Sequence, residues 1–143
     1  MKAPVVLFVY NRLDHTMNVI ESLSKNIGAK ETDLYVFSDA AKTERGLEKV
    51  DEVREYIRKT DWREHFQKVI VVEAEQNKGL AKSIIGGVTE ILKEYGKVIV
   101  VEDDLVLSPY FLEYMNGALD YYKETENIWS LSGYSFPMRG LKN

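Results

Sequence analysis

Lys97-Val98-Ile99-Val100-Val101-Glu102-Asp103-Asp104-Leu105-Val106-Leu107-Ser108-Pro109 decides the fold. Its apolar core, Val98 to Val101, is β-branched and continuous rather than alternating, the pattern of a strand covered on both faces in a parallel sheet. Three acids follow at once, and Ser108-Pro109 then reads as the N-cap and first position of a helix. The hexapeptide Lys-Val-Ile-Val-Val-Glu also occurs at 68–73. Six residues are too few to argue duplication, and two buried strands of similar composition explain the match. Further runs of the same kind lie at Val5 to Tyr10 and Leu34 to Phe37. A fifth, Ile128 to Leu131, precedes Gly133 and Pro137.

Helical periods fill the gaps between these runs. After Asp14, the expected N-cap, apolar residues fall at Val19, Ile20, Leu23 and Ile27. Between Thr43 and Thr60 they fall at Leu47, Val50, Val53 and Ile57, and after Gly79 at Leu80, Ile84, Val88, Ile91 and Leu92. After Ser108-Pro109 the face is Leu112, Met115, Leu119 and Tyr122. All follow the 3.6-residue period. Tyr110, Tyr114, Tyr121 and Tyr122 sit at that spacing too and read as packing residues. The tail from Phe136 to Asn143 has no period. Strands alternating with helices predict an α/β fold, a three-layer α/β/α sandwich with a mostly parallel sheet. The 143 residues are predicted to form a single domain.

Ligands of such sheets bind beyond the carboxyl ends of the strands. Those ends carry Asn11-Arg12, Ser38-Asp39, Glu75-Gln76-Asn77-Lys78-Gly79 and Glu102-Asp103-Asp104. Three adjacent carboxylates repel one another unless a cation joins them. Oxygen ligands of this kind suit Mg²⁺ or Mn²⁺, which bridge to substrate phosphates. A solvated acidic loop is the plain alternative. Arg12 has the chemistry to clamp a diphosphate, Asn77 and Gly79 to build a tight loop beside a ligand, and Lys82 to face phosphate. Each also has an ordinary reading: a surface ion pair, a helix cap, a solvent-facing lysine. A lone Asp39 is commonly a turn residue. His15 and His65 are isolated and suggest no imidazole metal site.

Composition excludes several classes. Formal net charge is -4 and no basic stripe is present, so nucleic acid is not an expected partner. The chain has no cysteine, hence no disulfide framework and no thiolate site. No stretch resembles a signal peptide or the roughly 20 apolar residues of a transmembrane helix. The expected location is the cytoplasm or the membrane periphery. There is no Gly-x-Gly-x-x-Gly after the first strand, no Walker A loop around Gly79 to Ser83 and no Gly-x-Ser-x-Gly elbow.

Pro4-Val-Val-Leu-Phe-Val-Tyr-Asn11-Arg12, Asp39, Asn77-Lys-Gly79-Leu-Ala and Val101-Glu-Asp-Asp-Leu-Val-Leu-Ser108-Pro109, in that order, resemble the GT-A glycosyltransferases. The likeness is to the family-2-like enzymes and the N-acetylglucosaminyltransferase I group, where Glu-Asp-Asp stands for the D-x-D motif. The resemblance implies a UDP-sugar donor, an unknown sugar or glycan acceptor, a Mn²⁺ or Mg²⁺ cofactor and inverting transfer. Asn11 and Arg12 would lie near the nucleotide and diphosphate, and Asp39 would contact the base. Glu102 and Asp103 would line the ribose and the metal's water shell, and Asp104 would ligate the metal. The family's catalytic base lies beyond the fifth strand, but no acid follows Glu126, so no catalytic residue is assigned. The expectation is a truncated GT-A domain whose acceptor-binding half is missing, inactive alone and open to self-association. The alternatives are a catalytically incomplete nucleotide-binding module and a nucleotidyltransferase-like enzyme. The latter wants a Gly-rich basic loop where Asn11-Arg12-Leu13-Asp14 stands.

Overall fold

The computed structural model describes residues Lys2 to Tyr134. The tail Phe136 to Asn143 lies outside them. The chain runs β1 (Val5–Val9), α1 (Leu13–Ser24), β2 (Asp33–Ser38), α2 (Leu47–Lys59), β3 (Lys68–Glu73), α3 (Leu80–Tyr95), β4 (Ile99–Glu102) and α4 (Phe111–Tyr121). Short 3-10 turns precede β2 and α2. The four strands form one sheet in the order β3-β2-β1-β4, and every pairing is parallel. Val6 stands between Tyr35 and Val100, and Phe8 between Phe37 and Glu102.

The hydrophobic pattern explains the layers. Val5, Leu7 and Val9 point to one face, where Val19, Ile20 and Leu23 of α1, Val53 and Ile57 of α2, and Leu112 and Met115 of α4 meet them. Val6, Phe8 and Tyr35 point to the other face and pack on Ile91 of α3, with Ile84 and Val88 alongside. This is the expected three-layer α/β/α sandwich. Every residue of central β1 is buried, as a strand covered twice should be.

Four local expectations are corrected. β4 alternates buried and exposed rather than being covered twice: it is an edge strand, and Val100 is 41% exposed. Ile128 to Leu131 forms no strand. Leu131 instead packs against the main core while Trp129 stands 93% exposed. A four-residue apolar run reads alike as a strand or as an irregular packing segment. α1 begins at Leu13, with Arg12 rather than Asp14 at its N-cap position. α4 begins at Phe111 rather than Pro109. Ser108 makes a preceding turn, and the buried amide of Asn26, at the end of α1, accepts the Leu112 N–H at 2.9 Å. The cap for α4 thus comes from the turn that follows α1. Among the described residues, no helix is long and apolar enough to cross a membrane.

Candidate nucleotide site at the carboxyl edge of the sheet

The strand order places a switch point between β1 and β4. α1 and α2 cover one face and α3 the other, so the crossovers leave these two neighbours on opposite sides. A crevice at that point is where an open α/β sheet binds ligands. Arg12 leaves β1 and the acid triplet leaves β4, and they meet across the gap. Arg12 Nη2 donates to Asp103 Oδ1, and Arg12 Nε lies 3.4 Å from Oδ2. Asp104 lies 3.7 Å from the same Nη2. The Asp103 side chain is 7% exposed, so its charge is held inside by a fork that matches it. The three carboxylates hold the Arg12 guanidinium above its usual range, chiefly through the hydrogen bond to Asp103.

Beside this pair opens a cavity of about 390 Å³, within the size range of small-molecule sites. Phe8, Val9, Tyr10, Asn11, Arg12, Phe37, Asp39, Lys42, Asn77, Gly79, Leu80, Ser83, Glu102 and Asp103 line it. Phe8 and Phe37 stack with centroids 5.5 Å apart. They are held from below by α3, where Gly87 lets the helix approach: a Cβ there would stand 3.1 Å from the Phe8 ring. The cavity therefore has an apolar aromatic part and an ionic rim.

Of the residues singled out by sequence, Asn11, Arg12, Asp39, Asn77, Glu102 and Asp103 come together on this cavity. Lys82 does not line it and stands exposed on the first turn of α3. Asp104 does not line it either: it is half exposed and stands 3.7 Å from Arg12 Nη2. Among the described residues, no group of three or more His, Asp or Glu side chains is gathered as a metal cage. The triplet does not converge, because Asp103 turns inward to Arg12. Sequence reasoning missed Phe8 and Phe37, which read as plain strand residues, and Arg54. Arg54 lies on α2 and donates to the carbonyls of Ser38, Asp39 and Ala74 at 3.3, 3.3 and 2.9 Å, tying together the ends of β2 and β3.

Known proteins share this fold. The Glycosyl transferase family 2 model matches residues 5–127. No curated protein matches significantly. Among solved structures, S. aureus TarS is similar with a TM-score of 0.62 at 20% identity, over 86% of this chain and 20% of that one. TarS 1-349 in complex with UDP is similar with a TM-score of 0.58 at 18% identity, over 96% of this chain and 38% of that one. The chain thus spans between a fifth and two fifths of the length of these structures. The match covers all four strands and all four helices, and this chain belongs to glycosyl transferase family 2, with a GT-A-type parallel α/β fold.

Proposed function

We propose that the chain is the donor-binding part of a metal-dependent glycosyltransferase that moves a sugar from a UDP-sugar to a sugar or glycan acceptor with inversion. One observation carries the reading: an arginine-acid cluster at the switch point adjoins a cavity with an aromatic floor. The cavity accommodates a base and ribose, and the rim meets a diphosphate. The UDP complex of TarS supports the choice of nucleotide.

Charge decides the need for a cation. Asp39, Glu102 and Asp103 on the cavity wall, with Asp104 beside them, exceed Arg12 and Lys42 by two negative charges. An anionic diphosphate is repelled there unless a divalent ion joins it. The donor set fits: Asp104 is half exposed and carries no short hydrogen bond. One carboxylate completed by water and substrate phosphate is an ordinary Mg²⁺ or Mn²⁺ environment. When bound, the ion would neutralise charge developing on the leaving diphosphate. Arg12 holds Asp103 in place and offers its remaining N–H groups to phosphate. Glu102 lies at the ribose side of the rim, and Phe8 and Phe37 exclude water from the base. Lys82 is close enough in sequence to the Gly79 loop to meet a phosphate from outside. No residue of the chain is assigned as the base that takes the acceptor's proton.

Calorimetry tests this reading. UDP is expected to bind with Mn²⁺ or Mg²⁺ present and much more weakly without, and Asp104→Asn to abolish the difference. Equal UDP affinity in both proteins, with or without metal, overturns the metal assignment. A second reading is a nucleotide-binding module that turns nothing over. UDP-sugar hydrolysis or transfer by the chain counts against that second reading.

A further inference from the structure

α1 touches the acid segment at both of its ends. At its start the Arg12 guanidinium holds Asp103, and the Arg12 carbonyl accepts the Thr16 N–H and the Thr16 hydroxyl, both at 2.9 Å. At its other end Ser22 Oγ donates to the Val19 carbonyl at 2.9 Å and accepts the Leu107 N–H at 3.1 Å. The turn that follows adds two more ties. The Ile27 N–H donates to the Pro109 carbonyl at 2.9 Å, and Asn26 Oδ1 accepts the Leu112 N–H at 2.9 Å. Asn26 Nδ2 also donates to the Ser22 carbonyl at 2.9 Å. Val19, Ile20 and Leu23 are buried in the main core, so the helix between these ends is itself held. Asp104, Leu105 and Val106 bridge the gap from Asp103 to Leu107. Among the described residues, no protein hydrogen bond reaches the backbone of 104–106, and the Asp104 carboxylate meets Arg12 only at 3.7 Å. Leu105 and Val106 are exposed. The place of Asp104 is therefore set by what holds the residues on either side of this stretch.

We propose that Ser22 is a positioning residue for the acid segment: by holding Leu107 it keeps the Asp104 carboxylate in place beside the cavity before a divalent ion arrives. The inference rests on the donor-binding reading and extends it to a residue that does not line the cavity. Preorganisation is the physical reason. A carboxylate on an untied stretch surrenders backbone freedom when it ligates an ion, and that loss weakens binding. A stretch tied at both ends has already given up most of that freedom. Arg12 cannot do this alone, because it fixes only the Asp103 side. A serine suits the task, since one hydroxyl both donates and accepts. Its hydrogen goes to its own helix, at Val19, which leaves a lone pair aimed at the Leu107 N–H.

Backbone amide relaxation of the free chain and Mn²⁺ titration in the presence of UDP test this role together. In Ser22→Ala the amides of 104–106 should lose order while those of α1 keep theirs. Mn²⁺ should then bind about 3- to 10-fold more weakly, the loss of roughly one hydrogen bond. Ile57→Val, a core deletion on α2, lowers stability by a similar amount and should leave Mn²⁺ affinity at the native value. In the Asp104→Asn background Ser22→Ala should change UDP affinity no further, because its effect runs through that carboxylate. Native order at 104–106 in Ser22→Ala overturns the role. So does an equal loss of Mn²⁺ affinity in Ile57→Val, or an undiminished effect of Ser22→Ala in the Asp104→Asn background. If the native chain binds neither UDP nor Mn²⁺, the donor-binding reading fails, and order at 104–106 still decides whether Ser22 holds the segment.

Discussion

At the residue scale, the site depends on a few side chains whose neighbours decide their chemistry. Arg12 is the clearest: Asp103 is nearly buried, and its partner is this guanidinium. Arg12→Ala is expected to cost about 1–3 kcal/mol in denaturant unfolding, the cost of leaving a buried acceptor unmatched. Gly87 is a second case. Its open Cβ position faces the rings of Phe8 and Phe37 at 3.1 to 3.2 Å. Gly87→Val should destabilise by about 1–3 kcal/mol through overpacking and weaken UDP by displacing the aromatic floor. Arg12 and the acid triplet were legible in the sequence because strand ends carry chemistry in α/β sheets. Arg54 was not. It sits in a helical period where it reads as solvent-facing, and three of its partners are backbone carbonyls 15 to 20 residues away, beside the Ser38 hydroxyl and the Glu73 carboxylate. No side-chain pattern marks a backbone carbonyl.

At the scale of elements, four strands were legible as continuous apolar runs and four helices from their period, because burial leaves such patterns, whereas the fifth run, Ile128 to Leu131, forms no strand. Boundaries were less so. Asn26 shows why: its side chain caps α4 across 86 positions, and local capping preferences contain no trace of that. Asn26→Leu is expected to destabilise by about 1–3 kcal/mol, because a buried N–H and its acceptor lose each other. The end of β3 carries a pH-dependent contribution. Arg58 makes two hydrogen bonds of 2.7 Å to Glu73 and holds its carboxyl below the usual range. A carboxyl lowered in the folded state stabilises above its unfolded pKa, about 4.3. That stability is lost as pH falls through the folded value. Glu73→Gln should therefore unfold more easily than the native chain above about pH 5, and the gap should close in more acidic solution.

At the scale of the molecule, alternating elements in the sequence implied a parallel sheet but not its order. Whether β4 joins beside β3 or beside β1 depends on which face α3 covers, and both faces of these strands are apolar. The order β3-β2-β1-β4 creates the switch point, brings residues 12 and 103 together and turns scattered polar strand ends into one cavity. The same order leaves β4 at an edge, with Val100, Leu105 and Val106 exposed beside it. The central claim is that the carboxyl edge holds a nucleoside diphosphate with a divalent ion. Titrating the isotopically labelled chain with UDP and Mg²⁺, and following its amide resonances, tests it most directly. Shifts are expected to concentrate at residues 9–12, 39–42, 77–83 and 102–104 and to be largely absent without Mg²⁺. Tyr35 and Tyr95, whose hydroxyls meet 2.8 Å apart beside Asp33 at the opposite end of the sheet, should not respond. Shifts centred on that opposite end, or none at millimolar UDP with the metal present, would contradict it.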